Sequence, residues 1–228
     1  MLNWSIPVIR HILFDIDNTL YSCTNPIEMA ITQRIHTFVA HFLHVSCEEA
    51  RALRQRTKHL YATTFEWLKA EHNLIHDEHY FRAVYPPTEI QELQYDPMLR
   101  PFLQSLHMPL TALTNAPRVH AQRVLDFFHL SDLFLDVFDI TYHAGKGKPH
   151  HSCFVRTLEA VHKTVQETLF VDDCLMHVRA FIALGGHAVL VDERDCHAEL
   201  PPSARMTRVK TIYELPAHLA RLAQGDNQ

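Results

Sequence analysis

Two carboxylates, Asp15 and Asp17, stand directly after a short apolar run, Val8 to Phe14, and are followed by Asn18 and Thr19. The run reads as a buried strand. A buried strand ends in two acids only where their charge is compensated. A divalent cation at a phosphate-handling site would do that, since hard cations take oxygen ligands and polarise phosphoryl oxygens. The plainer reading of the same residues is a turn capped by Asp15 and Asp17 and continued by Asn18.

Three later segments bear on the choice. Leu110 to Thr114 reads as a strand ending in Thr114, with Asn115 next. Lys148 precedes Pro149, and Thr168 to Val171 reads as a strand followed by Asp172 and Asp173. With Asp15-Ile16-Asp17-Asn18-Thr19, this series resembles the four ordered motifs of the haloacid dehalogenase (HAD) superfamily of phosphatases. The resemblance implies a role for each residue. Asp15 is the nucleophile and forms an aspartyl-phosphate. Asp17 is the general acid/base, with a pKa raised by its acidic neighbours. Thr114 and the Asn115 backbone bind the phosphate. Lys148 neutralises charge on the phosphate and on Asp15; Lys146 is its rival, and Pro149 favours Lys148. Mg²⁺ is held by Asp15, the Asp17 backbone carbonyl and Asp173, with Asp172 a further ligand or a neighbour of the ligands.

Within the superfamily the match is closest to the pyrimidine 5′-nucleotidase group, from Ile12 to about Asp192. Phe14 to Tyr21 looks like that group's version of the first motif, and so does Leu113-Thr114-Asn115-Ala116 followed by His120-Ala121, Arg123 and Leu125. The resemblance implies a Mg²⁺-dependent phosphomonoesterase acting on nucleoside 5′-monophosphates. Three features depart from the group. Tyr61 to Glu66 stands in place of its Tyr-Gly-x-Thr-Leu, Tyr85 where a His is common, and His177 where an Asn usually follows the paired acids. Ala62 and Glu66 are expected to narrow the substrate pocket or place an acid near the substrate. The alternatives are a phosphatase or phosphomutase on sugar phosphates or other small esters, a 2-haloacid dehalogenase, which lacks the second acid, and an inactive binding module, which would be expected to have lost Asp15, Asp17 or Lys148.

The elements that position these residues follow from periodicity. Strands alternating with helices predict a parallel α/β sheet, Rossmann-like, with helices on both faces. The predicted strands are residues 8–14, 110–114, 137–140, 168–171 and 187–191. Between Tyr21 and Tyr95 the pattern is wholly helical. Asn25-Pro26 opens a helix to about His44. Ser46 with Glu49 forms a capping box for a helix through about Tyr61, and two shorter helices follow. Later helices are expected from Asp96 to about His107 and over 117–128, 151–162, 175–184 and 212–222, with 224–228 frayed. This assigns residues 1–20 and 96–228 to a catalytic core and 21–95 to an inserted helical cap.

The chain has 228 residues, 47% of them hydrophobic, and a formal net charge of -5. That permits a large core, and the lack of a basic run argues against a nucleic-acid polymer as partner. Five scattered cysteines without a Cys-x-x-Cys read as reduced thiols in a cytoplasmic protein. No run is long enough for a membrane span, and the early patch Ile6–Ile9 is too short for a signal peptide. The expected partner is a small phosphate ester, and the expected assembly a monomer or homodimer. Of the 19 histidines, His72, His76 and His79 have helical spacing and should share one face, read as solvated in preference to a surface metal site.

Overall fold

Six short strands carry the core among the described residues: β1 (His11–Phe14), β2 (Leu110–Leu113), β3 (Phe134–Phe138), β4 (Thr168–Asp172), β5 (His187–Val191) and β6 (Met206–Val209). In the computed structural model, which describes residues 8–201 and 203–224, they form one sheet in the order β3-β2-β1-β4-β5-β6. Every adjacent pair is parallel. Strand β1 is shorter than expected because Val8 to Arg10 lie outside the ladder and Val8 is largely exposed. Strand β3 lies earlier than its expected 137–140, and β6 was not expected at all.

Alternation along the strands sorts the core into two faces. Ile12, Phe14, Leu169, Val171, Val189 and Val191 join one apolar cluster. Leu13, Phe170, Ala188 and Leu190, one residue out of phase, join the other. A sheet buried on both faces needs a helical layer on each. Helix α6 (Arg118–Phe127) serves the first face, through Ala121, Val124 and Leu125. Helices α7 (His151–Ala160) and α8 (Leu175–Ala183) serve the second, through Phe154, Leu158, Val178 and Phe181. The expected helix start at Pro117 moves on by one residue, with Pro117 as N-cap.

Between β1 and β2 there is no strand among the described residues. This stretch holds helices Pro26–Leu43, Cys47–Thr57, Thr64–His72 and Asp77–Val84, then a 3₁₀ turn at Pro87–Glu92 and the helix Leu99–Ser105. We number the first four α1 to α4 and the last α5. The fold is thus an α/β parallel sheet with an inserted helical cap. Helix α2 stops at Thr57, short of Tyr61, and Ser46 accepts the Glu49 N–H as half of the expected box. The two ends of the insertion meet at Asn25: with its amide turned so that nitrogen faces the acceptors, it donates to the Glu92 carbonyl at 3.0 Å and accepts from Gln94 N–H at 3.2 Å.

His72, His76 and His79 do not lie on one helix, although the His76 and His79 rings are neighbours, with centroids 5.1 Å apart. His72 ends α3, His76 caps α4 and His79 lies inside it. The chain closes with a 3₁₀ turn, Ile212–Glu214, and the helix Leu215–Gln224, where one continuous helix was expected. The fraying read at 224–228 lies, beyond residue 224, outside the described residues, as does part of the patch Ile6–Ile9. No helix of the described chain is long and apolar enough to cross a membrane.

Candidate active site

The chain leaves β1 toward β2 on one side of the sheet and later builds β4 on the other, so the C-terminal ends of these three strands lie together. Crevices of this kind, where strand order reverses, are where open α/β sheets bind ligands. Asp15 follows β1, Thr114 follows β2, Asp172 ends β4 and Asp173 comes next.

Lys148 reaches this point from the loop after β3. Its ammonium donates to Asp15 Oδ1 at 2.5 Å and to Asp172 Oδ2 at 2.7 Å, and the side chain is almost fully buried. Lys146 is exposed. The Asn115 side chain holds the Lys148 backbone from both sides: Oδ1 accepts Lys148 N–H at 2.8 Å and Nδ2 donates to the Lys148 carbonyl at 2.7 Å. This bracket requires Gly147, where an added Cβ would stand 2.1 Å from Asn115 Oδ1. The buried Thr114 hydroxyl accepts Ala116 N–H at 2.9 Å.

Three acids crowd one ammonium. Donor oxygens of Asp15, Asp172 and Asp173 lie within 4.8 Å of one another. Burial, with Asp172 and Asp15 as neighbours, pushes Asp173 up to about 9. Burial raises Asp15 to about 7, against the pull of Lys148. Asp172 goes the other way, to about 2, because Lys148 and His177 outweigh its burial. His177 Nδ1 stands 3.0 Å from Asp172 Oδ1. An all-oxygen donor set with surplus negative charge fits a hard divalent cation.

Asp17 is set apart from this cluster. The Tyr21 hydroxyl donates to its Oδ1 at 2.5 Å, and His120 Nε2 lies 2.8 Å from the same oxygen. The upward pKa expected for Asp17 is not found. Burial acts in that direction, but the His120 charge and the bonds from His120 and Tyr21 prevail and hold it below the ordinary value. His120 is fully buried; burial would lower it, yet Asp17 and Glu89 push it up to about 10. Its Nδ1 faces Glu89 Oε2 at 3.0 Å, an ion-pair contact without hydrogen-bond alignment. Arg123 donates to Glu89 at 2.8 Å and to the Tyr85 carbonyl at 3.0 Å.

Above these residues lies a cavity of about 570 Å³, floored by Asp15, Asp17, Asp173 and Lys148 and walled by α1 to α4. Ala62 and Tyr85 line it. Glu66 does not, contrary to expectation. Its carboxylate accepts Ala62 N–H at 2.9 Å and meets His150 Nε2 at 2.9 Å, so it joins the insertion to the Lys148 loop. His120 and Glu89 were missed as site residues. His120 was visible as part of the segment after Thr114, but nothing local marked Glu89.

Comparison with known proteins agrees with this fold. A HAD phosphatase from Thermococcus onnurineus superposes with a TM-score of 0.66 at 22% identity, over 92% of this chain and 98% of that one. A HAD-superfamily hydrolase of subfamily IA from Geobacter sulfurreducens gives 0.59 at 20%, over 92% and 100%. L-2-haloacid dehalogenase from Xanthobacter autotrophicus gives 0.60 at 17%, over 96% and 100%. At such identities the likeness is one of fold. Residues 9–185 match the family of haloacid dehalogenase-like hydrolases. The chain belongs to that family, and is a hydrolase of the HAD superfamily.

Proposed function

We propose that this chain is a Mg²⁺-dependent phosphomonoesterase working through an aspartyl-phosphate on Asp15. One observation carries the reading: a second carboxylate, Asp17, faces the same cavity as Asp15 and is held by its own partners. Departure of a halide requires no proton, whereas departure of an alkoxide does. A second acid at this position therefore favours phosphate-ester hydrolysis over dehalogenation.

Asp15 attacks phosphorus; the bond to the ester oxygen breaks, and that oxygen takes, through Asp17, the proton carried by the His120 imidazolium 2.8 Å from Asp17, leaving His120 neutral until the second step returns the proton. Water then attacks the phosphorus of the aspartyl-phosphate and gives its proton to Asp17, releasing phosphate and restoring Asp15. Thr114 and the Asn115 backbone hold the phosphoryl oxygens. Lys148 neutralises the nucleophile and the oxygens that gather charge. Asp15, Asp173, the Asp17 carbonyl and Asp172 would hold Mg²⁺, which supplies charge neutralisation between carboxylate and phosphate. Residues 21–95 act as a cap that closes over the core of 1–20 and 96–228 and excludes water.

The substrates are small phosphate esters. The cavity is roomy enough for a nucleoside, and the surroundings of Asp15 and Thr114 favour nucleoside 5′-monophosphates within that class. The scattered cysteines suit a reducing, cytoplasmic setting. A phosphate-release screen over nucleotides, sugar phosphates and p-nitrophenyl phosphate, with Mg²⁺ and with EDTA, tests the reading. Release that needs Mg²⁺ is expected. Undiminished release in excess EDTA, or release of halide from 2-haloacids with none of phosphate, overturns it.

A further inference from the structure

The floor and the wall of the cavity carry opposite charge. Every carboxylate lining it, Asp15, Asp17 and Asp173, comes from the strand ends. The helical wall contributes Arg51, Arg54 and Lys58 and no carboxylate. These cations are spaced by three and four residues along α2 and its C-cap, which puts them on one helix face. Glu48 and Glu49, in the first turn of α2, form no ion pair with these cations among the described residues, and the acids that follow Lys58 are used elsewhere: Glu66 as described, and Glu71 by the Tyr61 hydroxyl at 2.7 Å and Trp67 Nε1 at 2.9 Å.

Arg54 is the informative member. It is half-buried, its Nε donates to Thr64 Oγ1 at 2.9 Å, and its Nη1 lies 2.7 Å from His36 Nε2. Among the described residues neither Arg54 nor Arg51 nor Lys58 forms an ion pair. Glu28 on α1 acts on Arg54 only from beyond ion-pair distance, and a guanidinium drawn partly out of water with no carboxylate in contact is costly. A helix face needing only solubility would turn such a charge outward. Burial and the two guanidiniums also hold the His36 imidazole below its ordinary pKa, which fits a wall already rich in positive charge. Arginine presents a planar fork that matches carboxylate or phosphate oxygens two at a time.

We infer that the basic face of α2 is an anion subsite for the leaving group, with Arg54, Arg51 and Lys58 holding a carboxylate or a second phosphate at the end of the substrate away from the transferred phosphoryl. This rests on the phosphatase reading and narrows its substrate class. Esters of anionic alcohols are preferred to esters of neutral ones. Among nucleotides, those with a second phosphate on the sugar are preferred to simple 5′-monophosphates.

Binding to the Asp15→Asn protein, measured by calorimetry in Mg²⁺, tests the subsite without turnover. Two matched pairs serve as probes: 3-phosphoglycerate against glycerol 3-phosphate, and uridine 3′,5′-bisphosphate against UMP. The anionic member of at least one pair should bind roughly ten- to a hundred-fold tighter, the usual range for hydrogen bonds to a charged group. The pair that gains tells carboxylate from phosphate. Arg54→Gln in the same background should collapse the ratio to within about twofold and Arg54→Lys should restore part of it, on the scale of one charged hydrogen bond. A ratio within one variant cancels any loss of folded protein. If Arg54→Gln does not fold, Arg51→Gln with Lys58→Gln, both exposed, must cut the ratio by itself. A ratio near one for both pairs in the parent, or a preference that survives these substitutions, overturns the subsite. The phosphatase reading fails separately: wild-type protein would release no phosphate from any of the four probes while the binding preference stood.

Discussion

His120 Nε2 lies 2.8 Å from Asp17 Oδ1, and the other nitrogen of the same buried ring faces Glu89, which belongs to the chain returning from the helical insertion. Arg123 holds Glu89 in turn, and Tyr85 packs on His120 with ring centroids 4.8 Å apart. The carboxylate read as the general acid/base is therefore supported from the return linker of the cap as well as from its own loop.

His120→Ala should leave Asp17 Oδ1 with only the Tyr21 hydroxyl, and Glu89 with only Arg123. The expected loss in kcat falls hardest on esters with poor leaving groups, where proton transfer contributes roughly 10²–10⁴-fold. It should be smaller for p-nitrophenyl phosphate, whose leaving group needs little protonation. A series of aryl and alkyl phosphates measures this. Equal losses across the series would separate His120 from the proton-transfer step.

The strand ends were legible because each apolar run stops at a polar residue of distinct type: Phe14 at Asp15, Leu113 at Thr114, Val171 at Asp172. That contrast is local, so sequence alone reveals it. Strand β6 was not legible, because Met206-Thr207-Arg208-Val209 lies at the sheet edge with only Val209 fully buried, and it lacks the apolar run of a central strand. Glu89 looks like any surface acid. Its complete burial follows from where α6 places His120 and Arg123, which no spacing rule encodes. For the same reason the Asp17 pKa was misread: its acidic neighbours are visible in sequence, and the contact that sets the His120 charge against it is not.

Gly147→Ala should disable the Lys148 loop. The new Cβ meets Asn115 Oδ1 at 2.1 Å and Ile140 Cδ1 at 2.9 Å, so Asn115 must move and release the Lys148 backbone. Overpacking of this kind costs about 1–3 kcal/mol, and displacement of Lys148 should lower kcat at least about tenfold, since removing a single charge-stabilising donor costs about 10²–10³. The exposed Lys146→Met should do neither. Denaturant melts with steady-state kinetics on both variants decide it. Normal kinetics in Gly147→Ala would mean that the bracket does not position the ammonium.

Asp173→Asn should separate metal binding from stability. The Asp173 pKa is raised well above that of an unfolded aspartate, so its ionisation near neutral pH opposes folding of the metal-free protein. Asparagine cannot ionise in the unfolded chain, so the substitution should raise the metal-free melting temperature. In the wild type, Mg²⁺ should raise that temperature by mass action, and in Asp173→Asn this rise should shrink or vanish. Melting scans with EDTA and with a Mg²⁺ series measure both. An undiminished Mg²⁺ response in the variant would remove Asp173 from the ligand set.

His11 should make the fold acid-sensitive. Its ring bridges three strands, with Nδ1 3.0 Å from Thr168 Oγ1 and Nε2 2.9 Å from Thr111 Oγ1. The Thr168 hydroxyl already donates to the Thr164 carbonyl at 2.7 Å, so it accepts from His11 Nδ1–H, and Nε2 accepts from Thr111. The ring is thus held neutral. Burial, helped by Lys163, lowers its pKa to about 4 from the ordinary value of 6.5. The unfolded chain therefore binds the proton more readily over this interval, and stability falls as the pH drops from about 6.5 toward 4. His143 and His218, also lowered to about 4 mainly by burial, act in the same direction. In His11→Gln the contribution from this ring is absent at every pH. The stability difference between wild type and variant, measured by urea unfolding, should be largest near pH 7 and should narrow by pH 4.5. A difference constant across that range would mean that His11 is not the group that titrates.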